Sequence, residues 1–169
     1  MTYRTKTYIA ADWDGDKNAV DQLRAWNDSE KWSLLFTDAH DLTQAQDGSL
    51  NCSIKASLCT RMDVSKTFVL IVGSGTKGRR AGECTYCSSY ENGKCKTGHT
   101  VGNDSFIEYE CKKAVRDDIK IVVLYNAATV DKSKCPDAIK AYGTHAPMQK
   151  MKDGEHYWDY QSVKDAMGQ

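Results

Sequence analysis

Residues 105–125 read SFIEYECKKAVRDDIKIVVLY, and this stretch decides the fold. At ~100° per residue its first half forms a helix, with Phe106, Ile107, Cys111, Ala114 and Val115 on one apolar face. Glu110 falls inside that same arc, Glu108 points toward its edge and Tyr109 well away from it. The second half, residues 119–125, is apolar apart from Lys120 and reads as a buried strand. A carboxylate on the inward face of a short helix costs several kcal/mol if it is buried ionised and unpaired. Glu110 is therefore expected to be paired, neutral or lining a wet cleft. The ordinary alternative is a Glu at the helix edge that reaches solvent.

Working outward, residues 67–72 (TFVLIV) carry the strongest strand signal and run into Gly73-Ser74-Gly75-Thr76. That turn lacks the Gly-Lys-Ser/Thr of a Walker A loop. Residues 7–11 (TYIAA) read as another buried strand, ending in the acidic loop Asp12-Trp13-Asp14-Gly15-Asp16. The loop is not an EF-hand, because its glycine is misplaced and Leu23 stands where the bidentate Glu belongs. Val20, Leu23 and Trp26 then recur at helical spacing, with Asp16 as the N-cap. Residues 32–36 (WSLLF) predict a second strand, followed by the polar segment Thr37-Asp38-Ala39-His40-Asp41. Residues 42–51 read as a loop, and Leu50, Ile54, Leu58 and Met62 form a helix stripe. In the tail, residues 136–142 predict a short helix, 146–151 an edge strand and 157–167 a closing helix with Tyr157, Trp158, Val163 and Met167 as apolar contacts.

Apolar strands alternating with amphipathic helices predict a parallel sheet of about five strands covered on both faces, a three-layer α/β/α architecture. Ligands in such sheets bind at the carboxyl ends of the strands. Residues 12–14, 38–41 and 73–76 occupy those ends.

The chain has 169 residues, with 23 Lys plus Arg against 23 Asp plus Glu. A net charge near zero gives no electrostatic case for nucleic acid or an anionic membrane. No apolar run approaches the ~18 residues of a membrane span, and the N-terminus lacks a signal-like apolar segment. A cytoplasmic location is expected. Two prolines and no Ser/Gly-rich linker point to a single domain over residues 1–169.

Residues 77–104 form a polar insert rich in cysteine. Cys84-x2-Cys87 followed by Cys95-x3-His99 supplies four soft ligands of the kind zinc prefers, in a loop too polar to pack itself. A disulfide from Cys84 or Cys87 to Cys95, or an unligated loop, are the alternatives the spacing leaves open. Cys52, Cys59, Cys111 and Cys135 read as small packed thiols.

Three segments together resemble the TIR-like domain of bacterial Thoeris-type anti-phage defence proteins, a TIR-related, flavodoxin-like family. They are TFVLIVGSGTK (67–77), SFIEYECKKAV (105–115) and IKIVVLYNA (119–127). Gly73 and Thr76 match the family's Gly-x-x-Thr turn. Phe106 and Ile107 stand at its usual Trp-Val pair, Glu110 at its catalytic glutamate and Ala114 at the small residue one turn later. The first strand and its loop resemble the family less closely. The insert between turn and helix, and Phe106 in place of Trp, are departures.

The resemblance implies cleavage of the bond between nicotinamide and ribose in NAD, with Glu110 stabilising an oxocarbenium-like transition state and no metal required. Asp12, Trp13, Asp14, Asp38, Ser74, Thr76 and Phe106 are the candidate substrate-binding residues, with Trp13 suited to stack on a ring. It further implies an ADP-ribose-derived signal read by a separate effector protein, and homo-oligomers on activation. Competing readings are a non-catalytic TIR-like assembly module, a nucleoside deoxyribosyltransferase-like enzyme and a zinc-stabilised binding module.

Overall fold

The computed structural model describes residues 3–39 and 50–169. In chain order, β1 (Lys6–Ala10) is followed by α1 (Lys17–Asp28), α2 (Asn51–Asp63) and β2 (Ser65–Val72). A small hairpin of β3 (Tyr90–Glu91) and β4 (Lys94–Cys95) precedes α3 (Phe106–Arg116) and β5 (Lys120–Tyr125). β6 (Thr144–Pro147), a hairpin of β7 (Gln149–Lys152) and β8 (Glu155–Trp158), and α4 (Tyr160–Met167) complete the chain.

The central sheet runs β1-β2-β5-β6, all parallel. Its strands are apolar on both faces because both faces are covered. Tyr8, Phe68, Leu70, Ile121 and Val123 point into a core closed by Met62 of α2 and Ile107, Cys111 and Ala114 of α3. Ile9, Val69, Ile71, Val122 and Leu124 point the other way, onto Val20 and Leu23 of α1 and Val163 and Met167 of α4. This alternation is the period of two that a pleated strand imposes, and each fully buried Ile, Leu, Val or Phe contributes about 1.5–3 kcal/mol.

The strand expected over residues 32–36 does not form. The chain does pass beside the free edge of β1, where Thr7 bridges Asp38 in the parallel sense and donates its N–H to the Thr37 carbonyl at 2.8 Å. Counting that segment, the order is the flavodoxin-like 2-1-3-4-5, with its second member reduced to one bridge. Side chains take the place of a ladder. Ser33 adopts φ +43°, Phe36 N–H donates to Asn27 Oδ1 at 3.0 Å, and Leu35 N–H donates to Gln169 Oε1 at 2.7 Å. Leu35 itself is 77% exposed, so the apolar run is not a core strand.

Three tail expectations also shift. Residues 137–141 are turns rather than a helix: the Pro136 carbonyl accepts from both Ile139 and Lys140, and Gly143 follows at φ +73°. The edge strand is β6, which ends at Pro147, where the chain turns into a separate hairpin. The closing helix starts at Tyr160, because the Asp159 side chain caps it by accepting from Ser162 N–H at 3.2 Å, and Tyr157 and Trp158 belong to β8. The loop predicted over 42–51, like His40 and Asp41, lies almost wholly outside the described residues. Among the described residues no helix is long and apolar enough to cross a membrane.

Candidate active site

The phase of α3 is set at its first turn. Ser105 Oγ accepts from Glu108 N–H at 3.2 Å and the Glu108 carboxylate accepts from Ser105 N–H at 3.0 Å, a reciprocal capping box. Phe106 N–H donates to the Ala81 carbonyl at 2.8 Å, which ties the helix start to the chain leaving β2. With the helix so fixed, Glu110 faces the sheet. It is 6% exposed, and the buried Tyr8 hydroxyl of β1 donates to its Oε1. The Tyr8 ring stacks on Phe68 of β2, centroids 5.9 Å apart and 13° from coplanar.

Burial pushes the Glu110 carboxyl up from 4.5 to about 7, against the Tyr8 hydrogen bond and the positive charge of Arg61, which both pull it down. Burial and the Glu110 charge hold the Tyr8 hydroxyl well above its ordinary range, so it remains a donor.

Above this pair lies a cavity of about 320 Å³. Ile54, Leu58 and Arg61 of α2 form one wall and Phe106 and Ile107 of α3 the other, with Asp12, Trp13 and Arg79 around the mouth. Its volume sits at the low end of the range of about 300–1,000 Å³ common for ligand pockets. Apolar walls with a few convergent polar groups, at the carboxyl end of β1, are what a small-molecule site requires.

Two buried polar atoms of residues lining this cavity lack hydrogen bonds among the described residues: Arg61 Nε and Asp12 Oδ1. Asp12, 7% exposed, has only the Arg79 Nε at 3.6 Å. Arg61 is 5% exposed in the last turn of α2. A cation near a helix C-terminus gains about 0.3–1 kcal/mol from the macrodipole. Burying one without full pairing costs several kcal/mol, so the dipole does not account for its placement.

Asp12, Trp13, Phe106 and Glu110 are thus brought together as predicted site residues. Asp14 is exposed and pairs with Arg79 at the mouth, and Asp38 pairs with Arg24 at 3.0 Å away from the cavity. Thr76 is buried in the turn after β2, accepting from Gly73 N–H at 2.8 Å and donating to Asp16 at 3.3 Å. Asp16 also accepts from Asn126 Nδ2 at 2.9 Å, so one carboxylate joins the loops after β1, β2 and β5. Burial pushes that carboxyl up, and the bonds from Asn126 and Thr76 pull it back. A Cβ on Gly73 would sit 2.0 Å from Asp16 Oδ1, so only glycine fits there. Ser74 lines a separate cavity of about 240 Å³ with Gly73, Asp16 and Asn126.

The four proposed zinc ligands are not assembled. Among the described residues no group of three or more Cys, His, Asp or Glu converges as a metal site, and all seven cysteines are free thiols. The insert holds itself through its backbone. Cys84 and Gly102 exchange bonds at 3.0 and 3.1 Å, the second to Cys84 Sγ, while Cys95 Sγ contacts Thr97 Oγ1 at 3.0 Å. Cys87 and His99 complete no ligand set with them.

Sequence reasoning missed Tyr8, Arg61 and Arg79. Arg61 carried a usable signal: it lies three residues after Leu58 and seven after Ile54, on the inward stripe of α2.

No curated protein matches the chain. A family model described as "Thoeris protein ThsB, TIR-like domain" matches residues 8–83. The matched segment includes Tyr8, Asp12, Trp13, Arg61 and Arg79 and stops before α3, so Glu110 lies beyond it. Residues 8–83, which hold most of β1, all of β2 and one wall of the cavity, are thus similar to the TIR-like domain of the Thoeris protein ThsB.

Proposed function

We propose that the chain is an NAD-cleaving enzyme of the TIR type, with Glu110 as the group that meets the reacting ribose. The family suggests a role in anti-phage defence. The observation that carries the reading is Glu110 itself: a carboxylate buried at the floor of an apolar-walled cavity, held by a neutral hydroxyl rather than a cation.

The chemistry follows from that placement. The bond from ribose C1′ to the nicotinamide nitrogen breaks with its electron pair leaving on nicotinamide, which becomes neutral. Positive charge builds on the ribose as an oxocarbenium ion. The ionised Glu110 stabilises that charge in a site shielded from water, where it is worth far more than in solvent. Water or an acceptor hydroxyl then adds at C1′ and loses a proton. Trp13 lines the cavity with Arg24 over its ring at 5.2 Å, and Asp12 offers an acceptor for a ribose hydroxyl. The product is an ADP-ribose derivative, which a separate effector protein reads as a signal.

Nicotinamide release from NAD, followed by chromatography, tests this with wild type and Glu110→Gln, alone and with lysate from phage-infected cells as the trigger. Release by wild type that falls at least about 100-fold in the variant supports the reading. Equal release by both, or none by wild type in either condition, refutes it.

A further inference from the structure

We infer that Arg61 is the phosphate-binding residue of the Glu110 cavity, so that the site takes a 5′-phosphorylated ribonucleotide and rejects the free nucleoside. The observation is a pair of buried charged side chains that line one cavity, each with a polar atom left unsatisfied among the described residues. Arg61 is buried, lines the cavity from α2, and has an Nε donor with no partner among the described residues. Glu110 does not complete it: that carboxylate takes its hydrogen bond from Tyr8, and Arg61 acts on it through charge. At the mouth, the buried Asp12 Oδ1 is an acceptor without a hydrogen bond.

A ligand that fills the cavity and meets both side chains must present an anionic oxygen to a guanidinium and a hydroxyl to a carboxylate. A ribose 5′-phosphate carries both groups on one small frame. The guanidinium's planar fork of donors suits a phosphate, and the bond is charge-assisted. A nucleoside would satisfy Asp12 and leave Arg61 buried and unpaired, which is how a site built around a polar group rejects a substrate that lacks its partner. The volume, about 320 Å³, suits one nucleotide half, with the rest of a dinucleotide leaving past Trp13 and Arg79.

The identity of the base, nicotinamide, rests on the NAD-cleaving reading. The preference for phosphate does not. The test is calorimetric titration of the full chain, in a Glu110→Gln background that prevents turnover, with nicotinamide mononucleotide and with nicotinamide riboside. The mononucleotide is expected to bind about 10- to 100-fold tighter. Arg61→Gln should bring the ratio within about twofold, and Arg61→Lys, which keeps the charge, should restore part of it. Equal affinities, binding of neither probe, or a preference that survives Arg61→Gln overturns the inference. The last result would leave Arg61 as a counter-charge for Glu110 alone. The comparison of the two probes does not depend on any Arg61 variant folding. A phosphate preference with no nicotinamide release by wild type sinks the enzyme and leaves Arg61 in its role. Release without the preference does the reverse.

Discussion

Replacing Glu110 by Gln should stabilise the protein, and by an amount that depends on pH. The carboxyl rises from 4.5 to about 7 on folding because it is buried. Below about 4.5 it is neutral in both states and the two proteins should match closely, since Gln Oε1 can accept from Tyr8 as the acid does. Between those values the unfolded chain gives up its proton while the folded chain keeps it. The unfolded state then binds fewer protons, so wild-type stability falls as pH rises and levels off above 7. The interval corresponds to about 3 kcal/mol, or a melting difference of about 6–12 °C for a chain of this size. Urea unfolding of both proteins from pH 4.5 to 8.5 measures it directly. Activity should run the opposite way, because only the ionised acid stabilises an oxocarbenium ion: nicotinamide release should rise with a midpoint near pH 7. A stability difference that is constant with pH, or that grows as pH falls, would refute the reasoning.

Tyr8→Phe removes the donor that pulls Glu110 down while keeping the ring on Phe68. The midpoint of the pH–rate profile should move up by about one to two pH units, and an unmoved midpoint would exclude the coupling. Gly73→Ala drives a methyl into the Asp16 carboxylate and should destabilise by about 2–4 kcal/mol in chemical denaturation, against a negligible effect for Gly78→Ala, whose methyl would meet only the Gly75 carbonyl at 3.9 Å. Chelator treatment should shift the melting temperature by no more than about 1 °C, since the cysteine insert assembles no ligand set. A large drop would restore the zinc reading.

The sheet was readable in the sequence wherever burial on both faces left an apolar run, as in residues 67–72 and 121–125. Glu110 was readable because helical phase alone puts it in the apolar arc. Residues 32–36 misled because apolarity cannot report backbone pairing: Asn27 and Gln169 satisfy that segment's amides from distant parts of the chain. In the cysteine insert, ligand spacing says nothing of where the thiols point: Cys84 and Gly102 bond to each other, and no ligand set converges among the described residues. Arg61 and Tyr8 become site residues only when α2, α3 and β1 meet, and local periodicity does not carry that meeting.

Asp16 laces three successive strand ends into one stiff rim, with Thr76 and Asn126 as its anchors. That rim borders the cavity lined by Ser74; the Glu110 cavity has a different lip, where the exposed Arg79 spans the buried Asp12 and the exposed Asp14. The exposed Arg79–Asp14 pair is worth at most about 1 kcal/mol and weakens as salt is added. The side chain of Arg79 is therefore held loosely at that lip, and the ionic strength of the medium sets how loosely.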